Sequence, residues 1–162
     1  MIDELPTRAA LSVAALLLLG TGLSVLRLAD GDAARESVEA LAAHIARQID
    51  AVGHLAGEAV FRAGVGVDGP LALPPTVAGA RYRVEVRASS VTVLAGGVAA
   101  AAALSVPVLP FPPDEAEYTS EGISAKSADV VAIDVGGTFL VERTERLVDG
   151  VPAHRTFVHL PH

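Results

Sequence analysis

Histidine is the commonest transition-metal ligand in proteins, and the spacing of the histidines is the first chemistry to consider. His44 and His54 lie ten residues apart in a predicted helix, which places them roughly a quarter-turn apart. His154 and His159 lie five apart in a predicted strand, so they should face opposite sides, and His162 follows. Cysteine is absent, which excludes thiolate ligands and thiol nucleophiles. The sequence therefore predicts no metal site.

Carboxylates cluster in one segment, where Asp114, Glu115, Glu117 and Glu121 surround Tyr118. Clustered carboxylate oxygens are the ligands that Ca²⁺ prefers, so a calcium site is conceivable. The spacing matches no calcium-loop pattern, however. The pattern favours a solvated acidic loop.

Glycines follow an aspartate in the segment Asp134–Thr138, which reads D-V-G-G-T. This segment resembles the first phosphate-binding hairpin of the sugar kinase and actin superfamily, where backbone N–H groups approach phosphate and the Asp acts on metal-bound nucleotide. Only about 25 residues follow it, which leaves no room for the other nucleotide motifs. A β-turn is the favoured interpretation. Since G-x-S-x-G is also absent, we expect no enzyme, no catalytic or cofactor-binding residue and no cofactor.

The charge balance is acidic, with a formal net charge of −7 and Lys126 as the single lysine. Nucleic-acid phosphates need Lys and Arg, so the composition argues against a nucleic-acid partner. The Ala- and Val-rich, lysine-poor composition resembles that of proteins from salt-loving archaea. A high-GC genome explains it equally well.

The longest apolar segment is Ala9–Leu26, eighteen residues without a charge between Arg8 and Arg27. As a helix it would span roughly 27 Å, close to the hydrocarbon thickness of a bilayer. A cleaved secretory signal and a buried core helix are the alternatives. A retained membrane helix is favoured, so residues 1–28 are predicted to be a leader and a transmembrane helix, with the bulk of the chain extracytoplasmic.

Residues 29–62 are predicted to form an amphipathic helix, which Asp30 or Asp32 can cap. Gly53 and Gly57 weaken the prediction for its last turns. The helix has to cover its own sheet or a neighbouring subunit's helix. Its apolar positions recur at helical spacing and are Val38, Leu41, Ile45, Ile49, Val52, Leu55 or Ala56, and Ala59.

Residues 63–162 are predicted to form an antiparallel β-sheet or β-sandwich domain, so the fold class is α+β. After a loop or short edge strand at 64–70, residues 81–87 alternate strictly between charged and apolar. They open a meander over 81–106, with turns at Ser89–Ser90 and Gly96–Gly97. Further strands are predicted at 130–135, 138–148 and 153–160, with turns at Gly136–Gly137 and Asp149–Gly150.

Residues 88–113 also lack charge and could span a bilayer by length. The Gly96–Gly97 pair interrupts this stretch, and four prolines crowd its end. We therefore interpret it as two buried strands followed by a proline-rich crossover.

An apolar helix that continues into an amphipathic helix and a β-domain resembles the type IV pilin-like proteins of archaea. Arg8–Ser12, R-A-A-L-S, is similar to their processing region, and Leu73–Val86 followed by Val91–Val93 is similar to a stretch in small members. The resemblance implies a non-enzymatic, membrane-anchored surface subunit that assembles, through its apolar helix, with copies of itself or other pilin-like subunits. The alternative is a monomeric membrane-anchored ectodomain that binds another surface component.

Overall fold

A computed structural model describes residues 31–69, 71–119, 122–125, 130–148 and 151–161. The predicted leader and membrane helix, residues 1–28, lie outside the described residues. Among the residues that are described, no helix combines the length and apolar character that a bilayer crossing requires. The chain divides into two compact units, Met1–Ala34 and Arg35–His162, and the sheets and core belong to the second.

The described residues form one α-helix, α1, over 31–53, together with ten strands and one short 3₁₀ helix, Pro113–Glu115. The strands are β1 Ala59–Val65, β2 Ala72–Leu73, β3 Tyr82–Arg87, β4 Ser90–Ala95, β5 Val98–Ala103, β6 Ala116–Thr119, β7 Gly122–Ala125, β8 Val131–Asp134, β9 Thr138–Val148 and β10 Val151–His159.

The apolar stripe of α1 is buried in the chain's own core. The predicted positions from Val38 to Val52 are all buried, and they form one hydrophobic cluster with residues of both larger sheets. The sequence left open whether the stripe covers the chain's own sheet or a neighbouring subunit's helix, and in the structure it covers the chain's own sheets. The stripe was also predicted to include Leu55 or Ala56, but it ends with the last turn of α1, and Leu55 is 38% exposed.

The predicted helix over 29–62 is wrong at its C-terminal end, since residues 59–65 form β1. Leu55 N–H donates to the Val52 carbonyl, which tightens the last turn before the chain changes direction. Residues Ala59–Gly64 then pair antiparallel with β9. The Cβ of an alanine at Gly64 would lie 2.5 Å from Thr138 Cγ2, so the close approach of these two strands requires glycine. Ala59 continued the helical spacing by coincidence.

The first sheet has the order β10-β9-β1-β2 and is antiparallel except for the short parallel pair β1–β2. The predicted strands at 138–148 and 153–160 are confirmed as β9 and β10. Their register pairs Val148 with Val151. Asp149 and Gly150, the predicted turn residues, lie outside the described residues.

The second sheet has the order β5-β4-β3-β8 and is antiparallel throughout. The predicted meander is confirmed, with turns near Ser89 and at Gly96–Gly97. Tyr82, Val84 and Val86 are buried while their neighbours are more exposed, as the alternation predicts. The strand predicted at 130–135 is confirmed as β8.

The uncharged stretch 88–113 contains β4, β5 and a crossover to the first sheet. Val108 N–H donates to Ala88, and Leu109 exchanges backbone hydrogen bonds with Thr156 and Val158 of β10. Phe111 packs edge-to-face on Phe157, with ring centroids 6.0 Å apart. The two strands are half-buried, however, because one face of each remains accessible to solvent.

The acidic segment predicted as a loop contains regular structure. Glu115 ends the 3₁₀ helix, and β6 pairs with β7 as a separate two-stranded sheet. Tyr118, paired with Ile123, and Thr119, paired with Gly122, are residue types that favour a strand, which the carboxylates of the segment obscured. Apart from this hairpin, the α+β prediction is confirmed as one helix and two largely antiparallel sheets, an arrangement consistent with a β-sandwich.

The alternation of β3 yields a stability prediction. Val84→Asp should lower the free energy of unfolding by several kcal/mol, because Val84 is 1% exposed and a carboxylate there would be buried without a partner. Arg83→Ser should cost about 0.5 kcal/mol or less, since the Arg83 side chain is 48% exposed and its ion pair with Glu85 is solvated. Urea denaturation followed by circular dichroism measures both. Equal losses would contradict the assignment of the two faces.

Candidate functional site

The C-terminal end of α1 is held to the β-domain by a group of polar contacts, which we call the helix-end junction: Asp50, Glu58, Ser105, Val106, Arg143, Thr144 and Thr156. Asp50 is the residue on the helix side. Its carboxylate accepts the Ser105 N–H at 2.9 Å and the Val106 N–H at 3.1 Å. Bonds to an ionised acceptor are stronger than neutral ones. The two hydrogen bonds to Asp50 fix the start of the crossover, Ser105 and Val106, against the helix.

Strand β9 supplies the second half of the helix-end junction. Arg143 Nε donates to the Leu55 carbonyl at 2.6 Å, and its Nη1 donates to Thr156 Oγ1 at 3.3 Å. The guanidinium therefore links the segment after α1 to both β9 and β10. A planar guanidinium with several donors suits such bridging better than an ammonium group.

Glu58 completes the junction from the chain between α1 and β1. Its Oε1 accepts the Thr144 hydroxyl at 2.9 Å and the Glu145 N–H at 3.2 Å. The hydrogen bond from Thr144, then that from Glu145, lowers the pKa of Glu58 below its ordinary value, because both bonds favour the ionised form. The carboxylate is ionised at neutral pH and anchors β9.

A cleft of about 260 Å³ opens beside this junction and is lined by Val106, Pro107, Arg143, His154, Arg155 and Thr156. Its lining includes two arginines and a histidine, residue types whose side chains can donate hydrogen bonds to an anionic group such as a carboxylate. His154 Nε2 lies 4.0 Å from Glu145 Oε2, which supplies a counter-charge when the imidazole is protonated.

The histidines considered from the sequence are placed apart. His154 is half-buried at the cleft, and His159 is buried, with Nε2 3.4 Å from Glu142 Oε2 and Nδ1 3.0 Å from the Leu160 carbonyl oxygen. His44 and His54 belong to the region of α1, half-buried and exposed respectively. Within the described part of the chain, no three His, Asp or Glu side chains are grouped so as to hold a metal ion.

The segment Asp134–Thr138 forms the turn between β8 and β9, as favoured from the sequence. Gly137 N–H donates to the Asp134 carbonyl at 2.9 Å, and Gly136 has a φ of +92°, the conformation that glycine adopts without strain. The Asp134 carboxylate lies 3.8 Å from Arg83 Nη1. The two glycines thus carry the chain from one sheet to the other.

Tyr82 lies beside this turn in an open groove of about 410 Å³ that also includes Arg81 and Leu94. Its hydroxyl donates to the Pro74 carbonyl at 2.6 Å. Burial raises the pKa of Tyr82, so the phenol stays neutral. The hydroxyl holds the 74–82 loop on the sheet.

Comparison of the chain with protein-family models, curated proteins and solved structures finds no match. The acidic residues Asp114, Glu115 and Glu117 lie in the 3₁₀ helix and β6, and Glu121 lies outside the described residues.

The helix-end junction was not predicted from the sequence. Asp50 pairs with residues 55 and 56 positions away, and no local pattern encodes such a distance. One signal was present: an aspartate in the last turn of a helix opposes the helix dipole, so it needs a compensating partner.

Removal of the Asp50 carboxylate tests this junction. Asp50→Ala should lower the free energy of unfolding by about 1–2 kcal/mol, because two backbone N–H groups lose a charged acceptor, partly offset by relief at the helix dipole. Glu39→Ala is the matched control, since its exposed ion pair with Arg35 is worth about 0.5 kcal/mol or less. Urea denaturation distinguishes them. If both variants lost the same stability, the junction would be a surface contact of no structural importance.

The lowered pKa of Glu58 gives a pH dependence of defined sign. A group whose pKa is lower in the folded state stabilises the fold above its unfolded pKa, and this contribution is lost as the pH falls through the folded pKa. The wild type should therefore be more stable than Glu58→Gln at neutral pH, and the difference should shrink on acidification. Thermal melts of both proteins across the acidic range measure this difference. A constant difference between them would contradict the role of the ionised carboxylate.

Proposed function

We propose that this chain is a non-enzymatic, type IV pilin-like structural subunit of the cell surface. The segment Ala9–Leu26 anchors it in a membrane, and the residues after 28 lie outside the cytoplasm. On assembly, the same segment packs against copies of itself or other pilin-like subunits, which keeps its apolar surface away from water. Gly20 and Gly22 allow neighbouring helices to approach closely.

The observation that carries this proposal is the burial of the α1 stripe. Because Val38, Ile45 and Ile49 are 0% exposed within the chain's own core, this stripe is not available to cover a neighbour. The eighteen uncharged residues of Ala9–Leu26 are then the long apolar segment that remains for a bilayer or a helical bundle. Only residues 27–30 separate this segment from the described start of α1.

The helix-end junction supports the same role. A subunit held by its N-terminal segment needs a β-domain that does not separate from the helix under load. Buried apolar side chains resist separation along the length of α1, and the hydrogen bonds of Asp50 and Arg143 secure its C-terminal end. Charge-assisted bonds are well suited to this because they are directional.

The second candidate is a membrane-anchored monomer that binds an acidic group of another surface component. The cleft lined by Arg143, His154 and Arg155 favours it, since two arginines and a histidine lie together there in a chain with a net charge of −7. In this alternative the N-terminal segment only anchors the protein. Assembly would be absent, and a partner would be bound by the β-domain.

A charge within the apolar segment tests the anchoring role that both candidates give it, and the oligomeric state of the wild type separates the two. Leu17→Asp should abolish both membrane retention and assembly of the full chain, because an aspartate at a helix centre costs about 2.5–3.5 kcal/mol on insertion. Ala40→Asp is the matched control, adding the same charge at an exposed position of α1, and it should assemble normally. Sedimentation in detergent and electron microscopy of the native assembly provide the measurements.

The wild type and the Leu17→Asp variant together distinguish the pilin-like subunit from the anchored binding module. Filaments or oligomers of the wild type that disappear only in Leu17→Asp support the pilin-like subunit. A wild type that is retained in membranes but sediments as a monomer at every concentration contradicts it and favours the anchored binding module. Membrane retention that is unchanged by Leu17→Asp contradicts both candidates.

A further inference from the structure

Strand β5 has a backbone edge with which no other described strand pairs. It is the terminal strand of the second sheet in the described part of the chain and pairs only with β4 there. The two-residue Gly96–Gly97 connection makes Ala95 and Val98 a hydrogen-bonded pair, and the Leu104 N–H donates to Ser89 at the far end. Hydrogen bonding to β4 therefore uses alternate residues of β5. The backbone groups of Ala99, Ala101 and Ala103 point away from the sheet.

This edge lacks the features that usually protect an edge strand. Natural edges carry charges, prolines or bulges, or are very short. Strand β5 is six residues long, V-A-A-A-A-A, and pairs with β4 without a bulge. The other edges of the two larger sheets differ: β2 has two residues, β8 ends in Asp134, and β10 contains Pro152 and is bridged by Leu109.

The side chains beside this edge are uncharged, and most of them are alanines. Ala99, Ala101 and Ala103 are exposed on the outer face, and Leu94 of β4, opposite Ala99, is 37% exposed. The nearest charged residues in sequence are Arg87 and Asp114. In a chain with a net charge of −7, two copies repel each other wherever carboxylates face. At this edge no charged side chain of β4 or β5 opposes their approach.

We propose that β5 pairs antiparallel with β5 of a second copy across a two-fold axis at Ala101. Ala101 then faces Ala101 of the second copy, and Ala99 faces Ala103. These three pairs exchange about six hydrogen bonds and join the two sheets into one. An isologous contact is self-complementary, and alanine opposite alanine meets this condition without steric conflict. The pairing is independent of the N-terminal segment, so it stands whether or not the proposed function does.

The absence of cysteine from the sequence allows a direct test of this register. Hydrogen-bonded antiparallel partners have Cα atoms about 5.5 Å apart, within disulfide range. In the full chain, Ala101→Cys should form disulfide-linked dimers on mild oxidation, about tenfold more than the exposed helix control Ala40→Cys. Ala99→Cys and Ala103→Cys should each cross-link poorly alone, since like residues lie roughly 14 Å apart. A mixture of these two should cross-link efficiently.

A proline variant confirms that backbone pairing is responsible. Because the Ala101 N–H points away from β4, Ala101→Pro removes no hydrogen bond within the sheet and should leave the melting temperature nearly unchanged. Adding it to both members of the Ala99→Cys and Ala103→Cys mixture should reduce cross-linking to the control level. This result, together with the register pattern, supports the pairing.

Three results would overturn the proposal. Ala101→Cys that cross-links no more than Ala40→Cys excludes pairing with a second copy. Equal cross-linking of the three β5 variants indicates random collision instead of a fixed register. A cysteine at 101 that neither cross-links nor reacts with a maleimide shows that another segment or molecule covers the edge.

Discussion

Burial of the α1 stripe connects all the larger elements, because its side chains belong to the same hydrophobic cluster as both sheets. The chain has only four Phe, two Tyr and no Trp, so this core is built mainly from Val, Ala, Ile and Leu. Small side chains gain dispersion energy only when backbones approach closely. Gly64 meets this need against Thr138, and Gly53 meets it against Val106, where an added Cβ would lie 3.1 Å away.

The same close approach explains why the polar junction lies at the end of α1. The last turn of α1 packs on the crossover, and backbone groups of both segments find hydrogen-bond partners across this contact. Asp50 supplies one for Ser105 and Val106, and the guanidinium of Arg143 satisfies the Leu55 carbonyl. Packing and hydrogen bonding therefore depend on each other at this point. A residue that is unfavourable for the isolated helix becomes favourable in the folded domain.

The elements with strong local patterns could be predicted from the sequence. Strand β3 alternates strictly, β9 has the predicted bounds 138–148, and the α1 stripe follows helical spacing through Val52. The end of α1 could not be predicted, because Ala59 continues the helical spacing while β1 is stabilised by pairing with residues 138–143. The helix-end junction could not be predicted for the same reason, since Asp50 and Arg143 form hydrogen bonds with residues 55 and 88 positions away in sequence. The turn at Asp134–Thr138 could be predicted, because the preference of glycine for turn conformations depends only on the local sequence.

The chain has two long charge-free stretches, and they differ in the positions of their glycines and prolines. Residues 88–113 contain the pair Gly96–Gly97, and the half-buried strands β4 and β5 lie on either side of it. The stretch Ala9–Leu26 has no proline and no glycine before Gly20. Around them the chain carries a net charge of −7, and like charges repel over roughly 8 Å at physiological ionic strength. Neither stretch contributes a charge to that repulsion. The proposed helix contact and the proposed strand contact both use these stretches, so added salt would weaken the repulsion between copies while leaving the apolar and backbone contacts in place.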